Sequence, residues 1–509
     1  MALSRLPVRA PRLGSAGMGL AVVGLAIFLG LASAILPGSF IFALLVVPAI
    51  AVLVFIRPEY TLTACVALVC GLIHPALVPR IPAFGGALAA ADATLVMLVI
   101  YTLWVLATQR EQAPAPVVKG VQLLAASLAL FGVLFATAVV LSLIVRDINP
   151  AHVLGETRDL LYLACLPVAV VILRQSDRQR RFVVSFVVLG CLFAVGQVLQ
   201  GVFNIPVFGA QGISVLETLG RQDDGTTRAN TLGLNVIVFA LLLTLGARVQ
   251  GLISRPLFCA VGGLLFVGIV LTFGRTTYAA VFVCMGVVVW WLDAKKLPLF
   301  LCSLVLVVLA GAGIGFVLKP DSFAAVYFRM TTIGEEINRG YSAQWRFWEM
   351  EAMLPHLAKH PLIGVGLGAD YKGTLGSALT PELNRYVHNA YLYMAGKMGL
   401  PALLAFLLMM AAIAAIGRRS AISALSPWTR VVGAAGAAMM IRFLAASITE
   451  PHLMSDYGVV VIAVAGALVY LSARSDSAPA VSGEAVDAKR AIAHSQRLRA
   501  RGLALRTWP

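Results

Sequence analysis

Long apolar runs alternate with short polar connections along most of this chain. The runs are about 17–25 residues long, and about 20 apolar residues in a helix cross the hydrocarbon core of a bilayer. They lack the strict polar and apolar alternation of barrel strands. The pattern predicts an all-α polytopic membrane protein with about 14 transmembrane helices, within a range of about 12–14 because the short connections at Pro37 and Gly274 also fit re-entrant features.

One long polar segment, residues 319–388, interrupts the apolar pattern and concentrates arginines, acids, histidines and aromatic residues. Within it, Trp345, Trp348 and Ala352 fall on one helical face, which predicts an amphipathic helix lying on the bilayer. We divide the chain into an N-terminus (1–17), transmembrane helices 1–11 (18–318), the large loop (319–388), transmembrane helices 12–14 (389–472) and a basic tail (473–509).

Composition agrees with a protein that lies mostly in lipid. Charged residues make up 12% of the chain and hydrophobic residues 60%, whereas soluble domains carry about 25% charged residues. The net charge of +16 comes mainly from one alternate set of connections and from the tail, so it does not indicate a nucleic-acid partner. Because lysine and arginine mark the cytoplasmic side, we expect both termini in the cytoplasm and the large loop outside, in the periplasm.

Arginines recur in the outward connections. Arg275 lies in a very short connection, where its planar guanidinium suits a lipid-linked phosphate at the membrane surface. The alternative is an arginine that merely reaches the interface from a span. Arg221 and Arg228 lie in a longer polar connection and Arg346 in the large loop. For the pair in the longer connection, the alternative is a solvated loop whose arginines pair with neighbouring acids.

His388 opens the apolar run that follows the large loop. A histidine there suits a general base, because its unperturbed pKa is about 6.5. The alternative is a histidine that only lines the interface. Glu450 and Asp456 lie in the last outward connection and are candidates to supply an acid beside it.

Two charged residues and one histidine pair also have positions that suggest a function. Lys397 and Arg442 lie within predicted spans, a costly placement that indicates function or a buried partner. His356 and His360 have metal-ligand spacing, but Pro361 follows at once and no metal is expected. All seven cysteines lie in apolar runs, so we expect neither a disulfide framework nor a cysteine-based metal site.

The chain resembles the O-antigen ligase and polymerase superfamily of membrane glycosyltransferases over roughly residues 120–470. The motifs that carry the resemblance are Arg346-Phe-Trp, Pro355, His360-Pro-Leu-Ile-Gly-Val-Gly366 and His388-Asn-Ala-Tyr-Leu392, supported by Gly274-Arg275 and, loosely, by the connection that holds Arg221 and Arg228. One departure is Lys397-Met-Gly399, where the family often has an acid before the glycine.

The resemblance implies an inverting, metal-independent transfer of a glycan from undecaprenyl diphosphate, without a cofactor, at the periplasmic face of a bacterial inner membrane. The outward arginines would bind the diphosphate, His388 would act as base, and Glu450 or Asp456 would assist it. The acceptor would be another lipid-linked glycan for a polymerase, which we favour, or lipid A-core for a ligase. A polysaccharide flippase or small-solute transporter is the alternative from another class.

Overall fold

The computed structural model describes residues 52–73, 81–83, 86–88, 90–108, 120–203, 205, 207, 213–218, 221–229, 231–272, 274–318, 331, 341–371, 385–450 and 452–477. The predicted cytoplasmic N-terminus, the first predicted span and the basic tail beyond residue 477 lie outside these residues.

The described part is mainly helical. Its helices are α1 (Pro58–Val69), α2 (Ala90–Thr108), α3 (Val121–Val140, continued as a π-helix over Leu141–Val145), α4 (Pro150–Leu161), α5 (Cys165–Ile172), α6 (Ser176–Phe203), α7 (Leu234–Val249), α8 (Arg255–Val270), α9 (Arg275–Asp293), α10 (Leu297–Leu318), α11 (Tyr341–Lys359), α12 (Ala390–Met398), α13 (Leu400–Ser423), α14 (Pro427–Ala446) and α15 (Asp456–Ser477). Short 3₁₀ turns precede α5 and α10.

Two short antiparallel hairpins accompany the helices. Strand β1 (Ile81–Ala83) pairs with β2 (Gly86–Leu88), and β3 (Ile213–Thr218) pairs with β4 (Arg221–Ala229). The sequence analysis did not predict them, because the polar residues of the second hairpin have the composition of a loop.

Within the part of the chain that the structure describes, six helices are long and apolar enough to cross a membrane, and they identify a multi-pass membrane protein. They are Ala90–Thr108, Val121–Val145, Ser176–Phe203, Leu400–Ser423, Pro427–Ala446 and Asp456–Arg474, with shorter apolar helices at Leu234–Val249 and Arg255–Val270. The predicted total of about 14 spans exceeds this set and stays a prediction.

Helices α14 and α15 lie at the centre of the bundle. Of the residues in their most apolar stretches, 78% and 83% are buried, whereas the figure for α3 is 17%. Helix α14 contacts α7, α9, α13 and α15. Glycines allow the closest approach: a Cβ atom on Gly417 of α13 would lie 2.6 Å from the carbonyl oxygen of Gly433 of α14. Small residues at such crossings let backbones pack closely, which drives helix association in lipid.

Helix starts follow local sequence rules. The side chains of Asn149, Ser254, Asn389 and Ser426 accept hydrogen bonds from backbone N–H groups in the first turns of α4, α8, α12 and α14. Such caps satisfy donors that have no partner within a helix. Asn389 therefore has a structural task directly beside His388.

The bundle has two ends that α9 connects. We call one of them the His388 end. There the hydroxyl oxygen of Thr449 lies 3.4 Å from that of Thr276 in the first turn of α9, and the carbonyl of Ser447 accepts a hydrogen bond from the N–H of Ala390 at 3.0 Å. At the other, the Arg430 end, Arg430 donates to the carbonyl of Leu292 at 2.8 Å. A helix of the length of α9 spans about 28 Å, which is close to the thickness of the hydrocarbon core.

Candidate active site at the His388 end

His388 and Glu349 form a close pair. One carboxylate oxygen of Glu349 lies 2.8 Å from His388 Nδ1 and also accepts the backbone N–H of His388 at 2.8 Å. The Glu349 side chain is 1% exposed, whereas that of His388 is 30% exposed. When Glu349 is ionised it can only accept, so Nδ1 then carries the proton and a neutral imidazole keeps Nε2 as its acceptor. This arrangement suits a histidine that takes a proton through Nε2.

Helix α11 and the cap of α12 bring the pair together. Glu349 lies in the middle of α11, and Asn389 accepts the N–H of Leu392 at 3.0 Å to begin α12. Arg346 precedes Glu349 by three residues, which places both on neighbouring positions of one helix face. The Nε atom of Arg346 is buried and has no hydrogen-bond partner among the described residues. The Arg346 charge acts on Tyr386 and Glu450, which places the guanidinium close to the pair.

Tyr386 lies against the imidazole. Its ring centre is 5.0 Å from that of His388 in an edge-to-face arrangement, and its carbonyl accepts from the hydroxyl of Tyr371. Burial, reinforced by nearby groups that include the Glu349 and Glu450 carboxylates, raises the pKa of Tyr386 well above its usual value. The phenol is therefore protonated at physiological pH and fixes one side of the His388 ring.

Glu450 and His452 occupy the turn between α14 and α15, where their side chains are in contact. Burial alone would raise the pKa of Glu450, but the contact with His452 and the charges of Arg442 and Arg346 outweigh it and lower that pKa. The pKa of His452 is lowered, first by burial. Glu450 is therefore ionised and His452 neutral near pH 7, so the carboxylate contributes a fixed negative charge close to Arg346.

The glycine-rich turn at 361–368 is hydrogen-bonded to α12 at this end of the bundle. Gly364, Gly366 and Gly368 all have positive φ values, which glycine adopts without a steric cost. The N–H of Val365 donates to the carbonyl of Gly396 at 2.6 Å, and that of Gly366 to the carbonyl of Lys397 at 3.0 Å. The turn thus uses its backbone donors on the C-terminal turn of α12, so its glycines are explained by packing.

Lys397 has the buried partner that its position in an apolar run suggested. Its ammonium group donates to Glu156 of α4 at 2.9 Å and to the carbonyl of Ala369 at 2.6 Å, and its side chain has no exposed surface. The other oxygen of Glu156 accepts the N–H of Gly368 at 2.7 Å. The Lys397–Glu156 pair therefore ties α4 and α12 to the segment that leads towards Tyr371.

Arg442 likewise has a partner inside the bundle, since it donates to the side-chain oxygen of Asn235 on α7. Its Nε and Nη2 atoms and the side-chain nitrogen of Asn235 are buried without hydrogen-bond partners among the described residues. The Arg442 charge also acts on Glu450. The Arg442 charge thus connects the last turns of α14 electrostatically with the turn that carries Glu450.

The predicted site residues fall into three groups. His388, Arg346 and Glu450 lie together, and the Thr449–Thr276 contact brings the turn of Glu450 next to the start of α9, where half-buried Arg275 is the first residue. Asp456 starts α15, accepts the N–H of Tyr457 at 2.7 Å and interacts with the charges of Asp159, Arg158 and Asp92. The acid that contacts His388 is Glu349, not Glu450 or Asp456.

Arg221 and Arg228 lie on strand β4, whose side chains are outside the described part of the structure. In the hairpin register, Arg221 pairs with Thr218 beside the turn and Arg228 with Ser214 near the other end. Seven residues of strand separate the two positions by about 23 Å. Arg228 lies six residues before α7, which begins at Leu234.

The role of Glu349 yields a testable result. For the glycan transfer that the resemblance implies, Glu349→Gln is expected to lower the rate about 10²–10⁴-fold, because a neutral amide neither fixes the Nδ1–H tautomer firmly nor stabilises the imidazolium. The measurement is the initial transfer rate of the purified variant. Glu351→Gln, an exposed glutamate on the same helix, is the matched control and should keep the wild-type rate. Equal transfer rates for the two variants would show that Glu349 does not assist His388.

Part of the chain matches a known protein family. No curated protein matches the chain significantly. Residues 260–407 match the family model described as O-antigen ligase. The matched range includes Arg275, Arg346, Glu349 and His388 and ends within α13. Residues 260–407 are thus similar to the O-antigen ligase family, and the resemblance to the O-antigen ligase and polymerase superfamily is confirmed for this part of the chain.

Proposed function

We propose that this membrane protein of the glycan-assembly class transfers an undecaprenyl-diphosphate-linked glycan to an acceptor hydroxyl at the His388 end. The observation that carries the proposal is the buried Glu349 carboxylate at 2.8 Å from Nδ1 of a partly exposed histidine, with arginines close by. A positioned base and cations are the two things that the reaction needs, since a hydroxyl must lose a proton and a diphosphate must leave.

The proposed step is a single inverting displacement that uses no metal. The acceptor oxygen attacks the anomeric carbon of the donor while its proton passes to Nε2 of His388. The bond between that carbon and the diphosphate oxygen breaks, and the diphosphate leaves with the electron pair. Arg275, Arg346 and Arg228 would neutralise the charge that develops, because guanidinium groups bind phosphate oxygens in pairs. Arg221 would serve the more distant part of the donor.

Glu349 orients the base in this proposal, and Glu450 holds Arg346 and Arg442 in place through its charge. Asp456 is assigned a supporting role through Arg158 and Asp159 on α4, not direct contact with substrate. The site faces the periplasm and both termini lie in the cytoplasm of a cell with an inner membrane. The basic residues at the Arg430 end support that orientation.

A polymerase that joins lipid-linked repeats is the favoured form, and a ligase that uses lipid A-core is the alternative. Fractionation of surface polysaccharide from a deletion strain separates the two. A polymerase predicts caps of a single repeat, whereas a ligase predicts polymer that accumulates on the carrier lipid. Wild-type polysaccharide in the deletion strain would contradict both. Complementation with the wild-type gene is the control.

A flippase or small-solute transporter is the second candidate class. Buried Lys397 and Arg442 are the features that favour it, because charges inside a bundle often line a transport path. Both side chains have protein partners, Glu156 and Asn235, which accounts for them structurally. Transport of a labelled lipid-linked repeat by the purified protein, without any new glycosidic bond, would favour this class.

A further inference from the structure

A cleft opens at the Arg430 end, far from His388. It has a volume of about 750 Å³ and lies between α7, α8, α9 and α10. Its walls are apolar and include Leu245, Phe258, Phe266, Met285 and Phe300. Small-molecule sites have volumes of about 300–1,000 Å³ and mostly apolar walls. The cleft is therefore large enough for a ligand with a hydrocarbon tail.

Three cations line the mouth of the same cleft: Arg248, Arg255 and Lys296. Lys296 donates to the carbonyl of Val249 at 2.8 Å and pairs with Asp293 at 3.0 Å. The guanidinium groups of Arg248 and Arg255 have no hydrogen bond or ion pair with any residue that the structure describes. Asp293 balances the charge of Lys296, so the two arginines leave a net positive charge at the open end of an apolar cleft.

The geometry assigns this cleft to an anionic glycerophospholipid, with its acyl chain among the aromatic and aliphatic walls and its phosphate between Arg248 and Arg255. Planar guanidinium groups bind phosphate oxygens in pairs, and basic pockets between membrane helices bind acidic head groups. Because α9 separates the two ends by about 28 Å, this site belongs to the membrane leaflet opposite His388. The assignment does not depend on the proposed transferase activity.

The α8 side of the cleft contains two glycines. Gly262 and Gly263 both line it, and a Cβ atom on Gly263 would meet no other atom within 4 Å. A large side chain at Gly263 would therefore fill the space without displacing the backbone. This predicts that the cleft can be blocked while the fold is kept.

The test uses the purified full-length protein in zwitterionic micelles with a phosphatidylglycerol that carries a photoreactive group on its acyl chain. Labelling should map to peptides from α8 and α10. Excess unlabelled phosphatidylglycerol should suppress it at least about 10-fold more effectively than phosphatidylcholine, because each basic residue favours an anionic lipid. Equal suppression by the two lipids, or labelling spread evenly over all helices, would overturn the assignment.

Two pairs of variants sharpen the test. The double variant Arg248→Gln/Arg255→Gln should weaken phosphatidylglycerol binding about 10–30-fold, and Gly263→Phe should abolish labelling of α8. Their matched controls are Arg418→Gln/Arg419→Gln, exposed arginines on α13, and Gly132→Phe, which also has open space around its Cβ. Unchanged labelling in both cleft variants, or a crosslink to a second copy in place of lipid, would contradict the proposal.

Discussion

His388→Ala is expected to lower glycan transfer about 10²–10⁴-fold, the usual contribution of a general base. Alanine removes Nε2, the atom proposed to take the proton of the acceptor. The backbone N–H of residue 388 would still donate to Glu349, so the buried carboxylate keeps one of its contacts. The side chain is 30% exposed, which limits the packing that is lost. Activity should therefore fall while the yield of folded protein stays normal.

The control for this variant is His360→Ala. His360 lies in the same polar segment, is exposed, and makes no side-chain hydrogen bond or ion pair with the described residues. It should retain the wild-type transfer rate. The measurement is polymer formed per mole of purified protein, with thermal unfolding recorded for each variant. Wild-type transfer by His388→Ala would end the assignment of a base at this position.

Lys397→Met is expected to destabilise the protein by about 3–5 kcal/mol, since removal of one partner leaves a buried charge without compensation. Glu156 would lose the ammonium group at 2.9 Å, and the carbonyl of Ala369 would lose its donor. Both contacts fix the position of the segment that leads to Tyr371. The hydroxyl of Tyr371 donates a hydrogen bond to the carbonyl of Tyr386. Thermal unfolding of the purified variant should therefore shift strongly downward, and transfer should fall with it.

A double variant distinguishes the ion pair from simple packing. In Lys397→Met/Glu156→Gln the buried charge is gone, and the glutamine oxygen can still accept the N–H of Gly368. This variant should be more stable than Lys397→Met alone, because replacing both partners avoids the unpaired charge. Lys359→Met, at the exposed end of α11, is the control. If the double variant unfolds more readily than the single one, the ion-pair explanation fails.

Local patterns predicted much of the helical scaffold. Apolar runs identified membrane helices, and the aromatic periodicity around Trp348 agreed with a helix over Tyr341–Lys359. The connection at Gly274 proved short, with α9 starting at Arg275. These features depend on residues a few positions apart, so the sequence contains the necessary information.

Partners that are distant in sequence were not predictable in the same way. Glu349 lies 39 residues before His388, and Glu156 lies 241 residues before Lys397. Only the packing of α4, α11 and α12 brings them together. One signal pointed to Glu349: it follows Arg346 by three residues on an amphipathic helix. The glycines at 364, 366 and 368 indicated a turn, but not that it would bond to α12.

We propose that this chain alone moves a glycan off its diphosphate carrier, with His388 as base. This is tested by measuring the release of undecaprenyl diphosphate from a labelled glycan donor in vesicles that contain only the purified protein and acceptor. One carrier should be released for each new glycosidic bond, and almost none with His388→Ala. No release by the wild-type protein, or equal release by the variant, would contradict it.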